Sequence, residues 1–275
     1  MSKRKPILYT IGRMILGPFF KWYYRPQIKG IENIPLNGGV IIAGNHIHLY
    51  DQCHTIISTK RNITYMAKKE YFDNWKTRWF FKGVGCIPVD RAKKDIDAVS
   101  KAIEVLHDDS AIGIFPEGTR NALKEKNIKE IYDKYFNDIE YNEFKTKLLE
   151  TKPKLSHIQY LIDLFNKKII SKKELNQNIY NSDSYLLKLV EKKIISFDDY
   201  LNSCLLELKF GTVSMAKKTN SVILPVCITG DYVFHSKNLK VNYGKPFSIQ
   251  NLELEDANNK LRKEIIKLMK ENLRS

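Results

Sequence analysis

The sequence lacks closely spaced cysteines, which bears on disulfide frameworks and on metal sites. Its cysteines are far apart in the chain and form no CxxC pair: Cys53, Cys86, Cys204 and Cys227. This spacing suggests neither a disulfide framework nor a zinc ribbon. A reducing compartment such as the cytosol fits this cysteine usage.

Acidic residues are absent from the first thirty positions, which carry seven Lys or Arg. Apolar residues at roughly helical spacing give this segment one apolar face: Leu8, Ile11, Ile15, Phe19 and Trp22. Arg13 and Lys21 interrupt the apolar run, and no small-residue cleavage site follows, which argues against a transmembrane span and a signal peptide. Gly17-Pro18 is expected to break or kink a helix here.

An in-plane membrane anchor fits residues 1–29 better. Tryptophan and tyrosine settle at the level of the lipid headgroups, while lysine and arginine meet anionic lipid. We therefore expect a peripheral or monotopic protein at the cytoplasmic face of the cell membrane. A helix packed on its own domain is the alternative.

Negative charge is scarce in the whole chain, where 46 Lys and Arg face 31 Asp and Glu, a net charge of +15. This balance favours anionic partners: nucleic acid, a phospholipid surface, a phosphorylated substrate or an acidic carrier protein. No RNP-like aromatic block, zinc finger or other familiar nucleic-acid-binding signature occurs, so nucleic acid is not the predicted partner. With 275 residues, 43% of them hydrophobic, the chain can bury a core in one large domain or two small ones.

From about residue 38, short apolar runs alternate with longer amphipathic stretches. The predicted strands cover residues 38–45, 62–68, 85–90, 111–115, 221–229 and 239–244. The clearest predicted helices cover residues 95–107, 211–219 and 255–272, and Asp95 can cap the first of them. This alternation predicts an α/β fold with a mainly parallel sheet flanked by helices.

Glycine is absent from residues 122–207, which we interpret as a helical insertion between residues 30–121 and 208–275 of the α/β domain. Its 15 Lys and Arg against 14 Asp and Glu leave it nearly neutral. IEYNEF, ISKKEL and ISFDDY repeat a loose pattern, and the last two contain pairs typical of helix starts: Ser171 with Glu174, and Ser196 with Asp199. Two or three short helical hairpins are expected. Duplication and chance both remain open as the origin of the pattern.

The segment GNHIHLYDQCH, residues 44–54, concentrates side chains that suit either a metal site or a catalytic base. A metal site would use His46 and His48 with Cys53 or His54 and one distant ligand, but the other histidines have no histidine or cysteine beside them, so no metal is predicted.

The alternative is a base, His46, with an orienting acid, Asp51. Five steps along a helix or a strand point two side chains apart, so this pair can meet only across a turn. His46 follows a predicted strand, at the end where open α/β sheets place ligand sites. There a carboxylate fixes the imidazole tautomer and stabilises the charge it gains. We expect both residues at the mouth of a loop rather than in the core.

Four blocks accompany this pair in a definite order: NHIHLYD (45–51), GCIPVDR (85–91), FPEGTR (115–120) and VILPVCI (222–228). Through them the sequence resembles the glycerolipid acyltransferase family, most closely the bacterial 1-acylglycerol-3-phosphate acyltransferases. The resemblance covers roughly residues 30–121 and 209–246.

The resemblance implies an O-acyltransferase in which His46 is the general base and Asp51 is its partner. It implies transfer of an acyl chain from a thioester to the free hydroxyl of 1-acyl-sn-glycerol 3-phosphate, without a cofactor. No acyl-enzyme is expected, because the turn NHIHLYD contains no serine or cysteine. The residues implied to hold the glycerol phosphate are Arg91, Glu117, Gly118, Thr119 and Arg120, and Lys209 in the K-x-G segment is a further candidate. The donor would be an acyl carrier protein or coenzyme A thioester.

Two departures from the family pattern bear on specificity. His48 stands where the family usually has a serine, and residues 122–207 stand where relatives have a short link. The first departure leaves the acceptor or donor preference open, and the second leaves access or regulation open. Another lysolipid or glycerol 3-phosphate is an alternative acceptor. The alternatives from other classes are a nucleic-acid-binding protein and a non-catalytic membrane-surface adaptor. The intact His46 and Asp51 pair and the block FPEGTR argue against the adaptor.

Overall fold

The computed structural model describes residues 6–90, 95–108 and 110–274. Arg91, one of the predicted phosphate-binding residues, lies outside the described residues. The chain divides into two compact units, one made of the residues up to Gly118 and from Leu208 onward, the other of Thr119–Glu207. The second unit begins three residues before the predicted start of the insertion at 122, and α1, given below, belongs to the first unit.

The strands are β1 Gln27–Lys29, β2 Val40–Gly44, β3 Ile63–Lys68, β4 Ile87–Val89, β5 Ala111–Ile114, β6 Val222–Thr229 and β7 Lys240–Tyr243. The helices are α1 Ile7–Tyr24, α2 Asp51–Ser58, α3 Glu70–Asp73, α4 Trp75–Gly83, α5 Ile96–His107, α6 Glu125–Tyr135, α7 Tyr141–Thr151, α8 Leu155–Asn166, α9 Lys172–Asn178, α10 Ser182–Glu191, α11 Phe197–Ser203, α12 Gly211–Thr219 and α13 Leu254–Arg274.

The seven strands form one sheet in the order β1-β7-β6-β2-β5-β3-β4. Every pairing between these strands is parallel except that of β6 with β7. The predicted fold class, a mainly parallel sheet flanked by helices, is confirmed. The central strand β2 is buried throughout, as the continuous apolar run Val-Ile-Ile-Ala predicts for a strand covered on both faces.

Strand β1 is the one strand of the sheet that the sequence did not predict. It has three residues, and only Ile28 among them is apolar, so no periodicity marks it. It pairs with β7, where Ile28 lies opposite Val241. The last three residues of the predicted anchor 1–29 therefore belong to the sheet.

Helix α5 shows how locally the sequence specifies a helix start. Asp95 occupies the N-cap, and its side chain accepts the backbone N–H of Ala98 at 3.0 Å. This contact satisfies one of the N–H groups that a helix start leaves without an intrahelical partner. The predicted cap is confirmed.

Helix α1 continues through Gly17-Pro18, so of the predicted break or kink the break is wrong. Proline removes one helical hydrogen bond, and packing of the helix on the α/β unit offsets this loss. Gly17 lies against Ile57 of α2, Phe20 is buried, and the Tyr9 hydroxyl accepts the backbone N–H of Ile63 at 3.1 Å.

The opposite face of α1 is exposed and apolar. Its exposed apolar residues are Ile7, Ile11, Met14, Ile15, Leu16, Phe19 and Trp22. None of the helices that the structure describes is long and apolar enough to cross a membrane.

The second unit, Thr119–Glu207, holds helices α6 to α11. At the starts of α9 and α11, the predicted capping pairs form complete capping boxes, Ser171 with Glu174 and Ser196 with Asp199. At the start of α7, Glu140 accepts the backbone N–H of Glu143 in the corresponding position. The loose sequence pattern is therefore a helix-start device that recurs at three helices.

Candidate active site

The turn between β2 and α2 brings His46 and Asp51 together. Nδ1 of His46 lies 2.7 Å from Oδ2 of Asp51. The same oxygen accepts the backbone N–H groups of Ile47 and His48 at 2.7 and 2.8 Å. Since this oxygen acts as an acceptor, Nδ1 of His46 is the protonated nitrogen and donates to it. In the neutral imidazole Nε2 is then unprotonated and able to accept a proton.

Asp51 lies in the core of the unit and not at the mouth of a loop, so that expectation is wrong for this residue. Only 1% of its surface is exposed. Its second oxygen, Oδ1, accepts the hydroxyl of Tyr232 at 2.6 Å. Four donors therefore surround the carboxylate, and these hydrogen bonds offset the cost of burying it. His46, with 19% of its side chain exposed, is the more accessible partner.

Glu117 reaches the same region from the end of β5, which neighbours β2 in the sheet. It is 2% exposed, and its Oε1 accepts the backbone N–H of His46 at 2.7 Å. This contact gives a physical role to a carboxylate whose charge would repel a phosphate. It ties His46, the second residue after β2, to the segment that follows β5.

Phe115, in the same segment, stacks on the imidazole of His46, with ring centroids 4.1 Å apart and planes 8° from parallel. The sequence did not identify Phe115 as a site residue. Its one signal was its place directly after a buried strand, in the block FPEGTR.

Asn45 is a second residue whose role the sequence did not reveal. Its side-chain amide donates to the carbonyl of Ile228 and accepts the N–H of the same residue, both at 2.8 Å. The side chain thus pairs with the backbone of β6 as another residue of β2 would. Just before it, the position of Gly44 admits no larger side chain, because an added Cβ would lie 2.6 Å from the carbonyl oxygen of Val226.

Gly118 and Lys209 lie side by side. The N–H of Gly118 donates to the carbonyl of Phe115 at 2.9 Å, and the φ of +70° at Gly118 favours glycine. A Cβ at this position would lie 2.9 Å from Nζ of Lys209, and the N–H of Lys209 donates to the carbonyl of Pro116 at 2.9 Å. The structure therefore brings an exposed ammonium group to the turn that carries Glu117.

Thr119 and Arg120 are the first two residues of the second unit. Within it, Oγ1 of Thr119 accepts Nζ of Lys124 at 2.6 Å, and the carbonyl of Arg120 accepts the N–H of Ala122 at 2.8 Å. The side chain of Arg120 is exposed. Among the predicted site residues, those grouped in the first unit are His46, Asp51, Glu117, Gly118 and Lys209.

His48 and Cys53, two other residues of the segment 44–54, lie in different environments from His46. His48 stacks on Tyr232, with ring centroids 4.1 Å apart. Burial raises the pKa of the Cys53 thiol to about 11, so this group is protonated at neutral pH and is a poor nucleophile. Among the residues that the structure describes, no three His, Cys, Asp or Glu side chains are grouped as metal ligands would be.

A known protein family matches most of the chain. Residues 25–229, about three quarters of the chain, match the family model described as Acyltransferase. The chain belongs to the acyltransferase family. This acyltransferase also shares its fold with the 1-acyl-sn-glycerophosphate acyltransferase PlsC of Thermotoga maritima, at a TM-score of 0.54 and 16% identity, over 98% of this chain and 83% of that one.

Several curated relatives are named 1-acyl-sn-glycerol-3-phosphate acyltransferase. The one from Bacillus subtilis is 35% identical over 97 residues, which cover 35% of this acyltransferase and 49% of the relative. The one from Borreliella burgdorferi is 36% identical over 96 residues, which cover 34% and 38%. The chain thus spans about half the length of these relatives or less.

Proposed function

We propose that this acyltransferase moves an acyl chain from a thioester to the free hydroxyl of 1-acyl-sn-glycerol 3-phosphate and so forms phosphatidic acid. The observation that carries the proposal is the 2.7 Å contact between Nδ1 of His46 and Oδ2 of Asp51 beside the turn of Glu117 and Gly118. The names of the relatives from Bacillus subtilis and Borreliella burgdorferi support the choice of substrate.

The chemistry needs a base that takes the hydroxyl proton as the alcohol oxygen attacks the thioester carbonyl. Nε2 of His46 accepts this proton, and the ionised Asp51 stabilises the imidazolium that results. Collapse of the tetrahedral intermediate breaks the carbon–sulfur bond, and the imidazolium returns the proton to the leaving thiolate. Transfer is direct, since the turn from residue 45 to 51 contains no serine or cysteine and the Cys53 thiol is protonated.

The phosphate of the acceptor needs cationic and N–H donors. Lys209, whose ammonium group lies beside Gly118, supplies a point charge next to a turn that only a small residue fits. Arg91 and Arg120 remain proposed ligands on the family pattern alone, as does Thr119, and the two guanidinium groups suit bidentate contact with phosphate oxygens.

The lipid acceptor resides in a membrane, and the exposed apolar face of α1 suits contact with one. Helix α4 contacts α1, and Gly83 of α4 packs on Leu8. Trp75 and Trp79 of α4 are exposed by 78% and 64%. Tryptophan favours the headgroup region, and the basic charge of the chain favours anionic lipid. We propose peripheral attachment through α1 and α4 at the cytoplasmic face of the cell membrane.

An acyl-transfer assay tests the proposal by offering lysophosphatidate, glycerol 3-phosphate and a phosphate-free lysolipid, each with acyl carrier protein and coenzyme A thioesters. We expect the highest kcat/KM with lysophosphatidate. A preference for glycerol 3-phosphate or for the phosphate-free lysolipid would replace the proposed acceptor. The absence of transfer to all three acceptors would refute the proposed function.

A further inference from the structure

Tyr232 follows β6, on the side of β2 opposite to β5, and lies outside the sequence blocks that carry the family resemblance. We propose that Tyr232 is a positioning residue that, together with His54, holds the Asp51 carboxylate in the orientation that serves His46. This inference rests on the proposed function, because it assigns a role in the same reaction.

The two oxygens of Asp51 have separate tasks. Oδ2 accepts Nδ1–H of His46 and two backbone N–H groups, whereas Oδ1 accepts the hydroxyl of Tyr232 at 2.6 Å. The terminal torsion of an aspartate is otherwise broad and nearly two-fold, so a donor on the second oxygen restricts rotation of the carboxylate. Tyr232 is that donor.

The direction of the hydrogen bonds follows from the number of protons. Because the single hydroxyl proton of Tyr232 goes to Asp51, its oxygen must accept from His54, whose Nε2 lies 2.8 Å away. Burial lowers the pKa of the His54 imidazole to about 4, so the ring is neutral with one N–H. Among the described residues, Nδ1 of His54 has no hydrogen-bond partner, as expected for the unprotonated nitrogen of this tautomer.

A one-way chain results, in which His54 donates to Tyr232 and Tyr232 donates to Asp51. Burial also raises the pKa of the Tyr232 hydroxyl, which keeps its proton in place. These two hydrogen bonds thus supply a donor to the buried carboxylate without introducing a second charge. Proton exchange with the substrate remains the task of His46.

The aromatic ring of Tyr232 is held by contacts that do not involve its hydroxyl. It stacks on His48 with centroids 4.1 Å apart and meets Tyr24 edge to face at 5.4 Å. His54, in turn, meets Phe20 of α1 at 5.2 Å. Replacement of Tyr232 by phenylalanine therefore removes the hydroxyl and keeps the packing.

The first experiment is steady-state kinetics of Tyr232→Phe in the full-length enzyme, with Tyr24→Phe as the matched control. We expect kcat to fall about 10- to 100-fold, the effect of losing a hydrogen bond to a charged group, with both KM values changed less than about threefold. Tyr24→Phe also loses a hydroxyl from the same aromatic cluster, but not one bonded to Asp51, and should keep kcat. An unchanged kcat in Tyr232→Phe would overturn the proposal.

A second comparison separates positioning from a general structural effect. In an Asp51→Asn background no carboxylate charge remains to be oriented, so adding Tyr232→Phe should lower kcat less than about threefold further. A structural role would lower kcat by the same factor in both backgrounds, and that result would refute positioning through Asp51.

A third measurement does not depend on activity. ¹⁵N-histidine NMR of the wild-type protein should show His54 as the neutral Nε2–H tautomer, and Tyr232→Phe should shift the Nδ1–H proton resonance of His46. If the wild type transfers no acyl group, the proposed function fails, while this test still reports on the hydrogen bonds from His54 through Tyr232 to Asp51. An identical His46 resonance in both proteins would overturn the positioning role.

Discussion

Glu117 accepts the backbone N–H of His46 at 2.7 Å, and this contact joins the ends of two neighbouring parallel strands. The imidazole is thereby fixed from two directions, by Glu117 at its backbone and by Asp51 at its ring. The carboxyl ends of parallel strands are where open α/β sheets place their ligand sites. The position of the proposed base thus depends on a residue about seventy positions further along the chain.

Glu117→Gln should separate this backbone contact from a requirement for charge. Glutamine retains an oxygen that can accept the His46 N–H, so the variant should keep its melting temperature and lose less than about tenfold in kcat. Glu117→Ala leaves that N–H unpaired in the interior and should cost about 1–3 kcal/mol of stability as well as activity. Thermal unfolding and steady-state kinetics check both. Equal losses of activity in the two variants would show that the negative charge itself is required.

His46→Ala should lower acyl transfer by at least about 100-fold, because a positioned imidazole contributes about that much as a general base. The partly exposed ring should be removable without unfolding the protein. His48→Ala deletes an imidazole two residues away that is not the proposed base. It should lower transfer far less than His46→Ala, although it also removes the ring that stacks on Tyr232. Near-normal turnover in a folded His46→Ala protein would contradict the mechanism.

The two replacements of Asp51 should behave differently because the residue is buried. Asp51→Ala leaves the N–H groups of Ile47 and His48 and the hydroxyl of Tyr232 without their acceptor. At about 1–3 kcal/mol for each unsatisfied group, this variant should be strongly destabilised. Asp51→Asn keeps an acceptor and should stay folded but lose most activity, because an amide cannot stabilise the imidazolium charge. Circular dichroism and the transfer assay distinguish the two, and a fully stable Asp51→Ala protein would contradict the hydrogen-bonding scheme.

The sequence predicted the parts of the structure that depend on local pattern. The buried strand β2, the Asp95 cap and the His46–Asp51 turn each arise from residues near one another in the chain. Pairings between distant segments left no such signal. Asn45 binds Ile228, and Tyr232 reaches Asp51, only because β6 lies beside β2 in the sheet.

Helix α1 is a case in which a local sequence signal was present but tertiary packing overrode it. Local propensity at Gly17-Pro18 predicts a break or kink. It does not include the packing against α2 that accompanies the continuous helix. The predicted apolar face does occur on α1, but the helix also has a buried face, with Tyr9 and Phe20, that the charge and hydropathy pattern did not distinguish.

Gly118→Ala should impair the turn of Glu117 and Gly118 in two ways, by backbone strain and by displacing the side chain of Lys209. Gly38→Ala separates the two effects, because it causes only the strain. Both glycines have positive φ, +70° and +79°, so alanine is strained by a similar amount at each. An added Cβ at Gly38 meets no atom within 4 Å, whereas at Gly118 it would displace the side chain of Lys209. Both variants should lose about 1 kcal/mol of stability, and only Gly118→Ala should raise the acceptor KM. An unchanged acceptor KM would remove Lys209 from the phosphate site.

Membrane attachment through α1 is best tested by point substitutions. Deleting the helix would also remove the Tyr9 contact with Ile63 and the packing of Phe20 on His54, so lost binding could not be separated from a damaged core. Replacing the exposed Ile15 and Phe19 by serine should weaken binding to anionic vesicles at least about tenfold, because an inserted large apolar side chain contributes about 1.5–3 kcal/mol.

The matched control for that test is Ile96→Ser on α5, which removes a side chain of similar exposure, 68% against 66% for Ile15, outside the proposed membrane surface. Vesicle sedimentation measures all the variants beside the wild-type protein. High salt should weaken wild-type binding only in part, since apolar insertion survives the screening of charge. Equal binding by the α1 variant and the Ile96→Ser protein would reassign attachment to the basic surface of the remaining chain. Complete loss of wild-type binding in high salt would likewise exclude insertion of α1, because only the screened electrostatic attraction would then hold the protein on the vesicle.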